Sequence, residues 1–341
     1  MVKKRQSNFE LLRIIAMFMV LALHANFFAI GRPDAEAFSV SPLSATARTL
    51  FEILSIVSVN VFVMISGWFG IKPSIRGVGN FIFQCLFFLV GIYVVALLLG
   101  VAHPSAKDIA SCLTVGSGFN WFIRAYLGLI IVAPVLNTFL ESCSKRQLEC
   151  VLVSFYIFQT VYGFIGNANF ICDGYSTFSF IGLYLLSRYI RLYGMSIFKL
   201  GGVIYFVSVC CNALLFYMLV QLDITRFNVI AYSNPFVVMG ATGLVMWVAQ
   251  LKMQYSYWIN FIAASSFAVY LFHTNFIVIE SLYRPLMVSL YAKFDGLACI
   301  LVMFVVLWVV FMLAVLLDQP RKWLWNIIWK ESEQRFVTQK S

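Results

Sequence analysis

The sequence predicts an all-α, polytopic membrane helix bundle, and three observations predict it. Of 341 residues, 62% are hydrophobic and only 11% charged, more apolar surface than a water-soluble fold can bury. The apolar residues come in runs near 20 long, the length a helix needs to cross a bilayer. The charges stand mainly at the ends of those runs rather than in a stripe, so the net charge of +10 argues for membrane orientation and against a nucleic-acid partner.

The first run, Phe9 to Ile30, reads FELLRIIAMFMVLALHANFFAI. Further spans are expected at 50–71, 78–102, 119–140, 148–166, 170–187, 201–222, 229–250, 258–281 and 297–317, about ten in all. The fifth and sixth are the weakest, being short or interrupted by Gly and Asp173. Only helices or closed barrels satisfy their backbones in lipid, and runs of this length are helical. The chain therefore reads as one membrane domain, 1–341, without internal repeats. Sixteen of the 24 Lys and Arg fall on the side holding both chain ends, six on the other, and Arg13 and Arg124 within spans. That bias puts both termini in the cytoplasm. A signal peptide is disfavoured, because the first run is too long and Ala35-Glu36-Ala37 stands well past it. Pro320 is expected to end the last span, and residues 318–341 to form a cytoplasmic interfacial tail. In it, Lys322–Lys330 (KWLWNIIWK) suggests a helix lying in the headgroup layer. The eight cysteines lack metal-like spacing and read as apolar filler; Cys112 and Cys172 fall in loops predicted on one side, where they could pair.

Ionisable residues at membrane depth need a partner or a water-filled cavity. Arg13 and His24 share the first span, roughly 16 Å apart along its axis. The pair predicts a helix facing a polar cavity reached from both sides. His24 suits proton transfer near neutral pH, the alternative being a hydrogen-bonded packing histidine. Arg13 is equally placed to pair with Glu10 at (i, i+3). His273, the other histidine within a span, precedes Glu280 by two helical turns on one face. The two either bond to each other within the bundle or line the cavity His24 faces. His103, beside Pro104, reads as interfacial. Arg124, in Trp121-Phe122-Ile123-Arg124, either snorkels to headgroups or grips an acceptor. Lys72 and Arg76 are either ordinary positive-inside residues or placed to hold phosphates of a cytosolic donor. No P-loop, HExxH, GxSxG or dinucleotide fingerprint is present, and no metal site is expected.

An arginine, ten residues and a histidine in the first span resemble the signature of acyltransferase family 3, integral membrane acyltransferases of bacterial surface polysaccharides. Three further stretches resemble the same family, in the same order: VNVFVMISGWFGIK (Val59–Lys72), WFIRAYLGLIIVAPVLN (Trp121–Asn137) and SSFAVYLFHTNF (Ser265–Phe276). The family's second basic motif often has two arginines separated by two residues; here the matching place reads Lys72-Pro-Ser-Ile-Arg76.

The resemblance implies a multi-pass enzyme of the cytoplasmic (inner) membrane that O-acylates, usually O-acetylates, a hydroxyl of a cell-surface or lipid-linked glycan. Acyl-CoA, usually acetyl-CoA, would be the donor substrate, with no permanently bound cofactor. His24 and Arg13 would be the catalytic residues, and Arg13, Lys72 and Arg76 would hold the donor's phosphates. Trp121, Arg124, His273 and Glu280 would line the cavity or meet the acceptor. Partners are then the acyl donor, the glycan and membrane lipid. The competing expectations are an exporter of polysaccharide or lipid-linked sugar, without chemistry, and a membrane scaffold.

Overall fold

The computed structural model describes residues 5–166, 168–194, 198–294 and 296–338, and every regular element among them is helical. The first run forms α1 (Ser7–Ala25) and α2 (Phe27–Ile30). Then follow α3 (Ala35–Val40), α4 (Pro42–Ser55), α5 (Ser58–Phe69), α6 (Ile75–Leu98), α7 (Ala106–Thr114), α8 (Trp121–Ser142) and α9 (Lys145–Phe158). The second half holds α10 (Thr177–Tyr193), α11 (Gly201–Gln221), α12 (Pro235–Ala249), α13 (Tyr257–Ala263), α14 (Ser266–His273), α15 (Phe276–Val278), α16 (Arg284–Lys293) and α17 (Gly296–Thr338).

Among the described residues seven helical stretches are long and apolar enough to cross a membrane. Counting the bent pair Tyr257–His273 and Phe276–Lys293 as one span makes eight, so the protein is multi-pass. The expected ten reduce for physical reasons. The sixth falls on α10, 17 residues carrying Ser187, Arg188 and Arg191, and the eighth on α12, only 15 residues long. The ninth bends by 61° between His273 and Phe276. There Asn275 accepts the Ile277 N–H at 3.0 Å and starts a new helix.

The first span is the axis of the bundle, since α1 packs on α4, α5, α12, α13, α14, α16 and α17. The apolar windows of Ser7–Ile30 and Pro42–Phe69 are 61% and 72% buried, against 22–33% in the other five spans. Those outer helices present bare apolar side chains such as Leu98, Ile131 and Leu316, as lipid-facing surfaces do. Close approach inside the bundle depends on small residues. A Cβ on Gly67 would lie 2.7 Å from the Tyr184 carbonyl oxygen, so this glycine lets α5 lie against α10.

Two further expectations change. Pro320 does not end the last helix: α17 runs through it, and Arg321 and Lys322 reach back across the proline to Asp318 at 2.8 and 3.4 Å. The tryptophan segment therefore continues the same helix and packs on α6, with Trp325 5.5 Å from Phe83 and Trp329 beneath Arg76. The last three residues of the 318–341 tail lie outside the described residues. Cys112 and Cys172 are both free, Cys112 buried in α7 and Cys172 exposed, so they form no disulfide.

Candidate active site

Spacings of four, three and four put Arg13, Met17, Val20 and His24 on one face of α1. All four line a single cavity of about 360 Å³. This is the physical content of ten residues between the arginine and the histidine: three helical turns bring both to the same wall, at opposite ends. A larger hollow, about 850 Å³, opens on the surface beside Cys143, Arg146 and Cys150, and no histidine lines it.

The Arg13 end is ionic. Phe9, one turn before Arg13, packs at 5.1 Å on Trp68 and on Phe69, placing the α5–α6 connection beside it. Arg13 bonds Glu10 at 2.7 Å, and Arg5 approaches the same carboxylate at 3.6 Å. The expected ion pair thus forms, and Arg13 lines the cavity as well. Across from it, Asn80 and Gln84 of α6 lead into a buried network on α17. Asn80 accepts from Arg321 at 2.7 Å, and Gln84 donates to Asp318 at 3.2 Å. Lys322 donates to Ser265 at 2.6 Å. Asp318 is fully buried and Arg321 nearly so. Sequence reasoning missed this cluster, reading Arg321 and Lys322 as positive-inside charges; the (i, i+3) and (i, i+4) spacing from Asp318 was the available signal.

At the other end His24 is half-buried. Its Nδ1 lies 2.8 Å from Nε2 of His273, whose own Nδ1 lies 2.6 Å from the Val269 carbonyl oxygen. Trp121 lines this part of the wall with Tyr175 and Tyr232, whose rings lie 4.3 and 5.7 Å from it. Directly after His24 the helix breaks at Asn26 (φ −100°, ψ −99°). The buried Glu52 carboxylate takes the Asn26 amide at 2.9 Å and the Phe27 N–H at 3.3 Å, and Arg48 donates to the Asn26 side-chain oxygen at 3.1 Å. Glu52 and Arg48 were also missed; nothing in the local pattern ties them to residues 22–26 positions away.

The remaining expected site residues separate. His273 is fully buried behind His24 and does not itself line the cavity. Glu280 lies beyond the 61° bend, half exposed, and pairs with Arg284 at 3.7 Å, so the helical register that put it under His273 is lost. Arg124 turns away from the cavity and donates to the carbonyls of Val115 and Ser117 at 2.8 and 2.9 Å, tying down the loop before α8. Lys72 and Arg76 are exposed; Lys72 precedes α6, and Arg76 sits in its first turn beside Gly77, which lines the cavity. Neither of them lines the cavity.

No curated protein and no solved structure matches the chain. The model of acyltransferase family 3, described as an acyltransferase domain, matches residues 6–318 and so takes in both ends of this cavity. With that match over nearly its whole length, the chain belongs to this family of acyltransferases.

Proposed function

We propose that this membrane acyltransferase transfers an acyl group, typically acetyl, from cytosolic acyl-CoA to a hydroxyl of a cell-surface or lipid-linked glycan. The observation that carries the reading is the one-sided face of α1, which presents a cation and an imidazole to the same cavity three turns apart. With both termini in the cytoplasm and the enzyme in the cytoplasmic membrane, the Arg13 end takes the donor. There Arg13 in the cavity wall and the exposed Lys72 and Arg76 meet the phosphates. The thioester arm extends along Met17 and Val20 towards His24. The acceptor enters past Trp121, Tyr175 and Tyr232, whose apolar faces and polar edges suit a sugar.

His24 acts as the general base. Its free ring nitrogen takes the proton of the acceptor hydroxyl while the hydroxyl oxygen bonds to the thioester carbonyl carbon. The carbon–sulfur bond then breaks, and the departing thiolate takes the proton from the imidazolium. The products are an ester and a free thiol, and His24 returns to its starting state. The test is purified protein in lipid nanodiscs with labelled acetyl-CoA and lipid-linked saccharide. The wild type should yield an alkali-labile glycan ester and free CoA in equal amounts. His24→Ala should lower that rate roughly 10³-fold, within the range of general-base catalysis. Near-normal ester formation by the folded variant would overturn the role of His24. Glycan movement across the bilayer with no ester would overturn the reaction.

A further inference from the structure

The two imidazoles at the His24 end of the cavity are arranged so that their neighbours decide where each proton sits. The Val269 carbonyl can only accept, so His273 Nδ1, 2.6 Å away, is a donor. A neutral imidazole carries one N–H, which leaves His273 Nε2 as a bare acceptor. That acceptor faces His24 Nδ1 at 2.8 Å, so His24 Nδ1 carries the proton and His24 Nε2 is left with a free lone pair. We infer that His273 is a positioning residue that locks His24 in its Nδ1–H tautomer and so dedicates His24 Nε2 to receiving the acceptor proton. This inference rests on the proposed O-acyl transfer.

The lock is built into the packing. His273 is fully buried and is not itself a lining residue of the cavity, so it reaches the reaction through His24, the wall residue that it bonds. Its ring lies 5.5 Å from that of Tyr283, whose hydroxyl donates to the Leu21 carbonyl at 2.7 Å, three residues before His24 on α1. The segment beyond the bend is thereby fastened to the helix that carries the base. Thr274 follows His273 and bonds the Tyr270 carbonyl at 2.7 Å, closing α14 at the histidine.

The lock matters most at the moment of reaction. When Nε2 has taken the hydroxyl proton, His24 is cationic and its Nδ1–H is donated to His273 as a charge-assisted bond, shorter and stronger than in the resting pair. Both protons of the imidazolium are then accounted for until Nε2 returns one to the thiolate. An interaction that strengthens only in the transition state raises kcat and leaves KM alone.

The test combines turnover with ¹⁵N NMR of histidine-labelled protein, in which only three histidines contribute. In the wild type His24 should show a protonated Nδ1 and a bare Nε2. His273→Phe keeps a buried ring without the acceptor. It should lower kcat on the order of 10²-fold with KM unchanged, while His24 divides between its two tautomers. His273→Gln returns an amide oxygen near the place of Nε2 and should bring kcat to within about tenfold of wild type with the Nδ1–H signature restored. A wild-type His24 protonated at Nε2 overturns the inference whether or not any variant folds. So does His273→Phe with undiminished kcat. An active His24→Ala would instead remove the reaction reading, and the tautomer seen by NMR would still stand on its own.

Discussion

The two ends of the cavity satisfy their buried polar groups in opposite ways. At the Arg13 end the solution is ionic: Glu10 is shared by Arg5 and Arg13, and Asp318 by Arg321 and Lys322, with Asn80 and Gln84 joining the second cluster to the cavity. At the His24 end the cavity wall is aromatic and His24 itself bonds another imidazole. The buried Glu52 carboxylate behind the helix break is held by hydrogen bonds from Asn26 and Phe27. Each buried charge carries a desolvation cost that is repaid only by close partners, so the ionic end is rigid as long as every partner is present. The imidazole pair needs no counter-charge and leaves a ring nitrogen for chemistry. A polyanionic donor and a neutral hydroxyl acceptor would meet these ends in the matching order.

The largest effect should come from breaking the ionic end. Asp318→Ala strands two cations against a buried site and should cost about 3–5 kcal/mol, read as a fall in thermal unfolding temperature in detergent. An unchanged transition would mean that water reaches Arg321 and Lys322 and that the two ends differ less than their geometry implies. A smaller effect is expected at Arg13, which still leaves Glu10 paired with Arg5. Arg13→Ala should raise the KM for acyl-CoA by about tenfold with little change in kcat, corresponding to one charge-assisted contact of about 1.4 kcal/mol. A loss confined to kcat would move Arg13 from donor binding to the chemical step. The smallest effect belongs to Glu280, whose half-exposed pair with Arg284 belongs to neither end. Glu280→Ala should alter turnover less than twofold and stability by under about 0.5 kcal/mol. A tenfold loss of turnover would put that carboxylate back on the acceptor's path.

What could be read from sequence follows from the range of each interaction. The first span, the common face of Arg13 and His24, and the Glu10 pair all lie within a few helical turns, where periodicity alone settles the geometry. The same logic misled at Glu280, because a two-turn register holds only while the helix is unbroken, and Asn275 restarts it. It also gave about ten spans where seven or eight helical stretches among the described residues are long and apolar enough to cross. Apolar content did not reveal the shortness of α12 or the polar end of α10. At Pro320 the local rule of helix termination yielded to a continuous helix in which Asp318 bonds across the proline to Arg321 and Lys322.

From its residues alone this chain was bound to be a lipid-embedded helical bundle with a cation and an imidazole on one inner face, because hydropathy and helical pitch are properties of neighbouring residues. Only the folded bundle could choose the partner of His24, 249 positions away, and join Gln84 to Asp318 across 234. Contacts at that separation depend on which helices pack together, and in lipid that choice rests on shape and on the pairing of buried polar groups, neither of which is written in any local pattern.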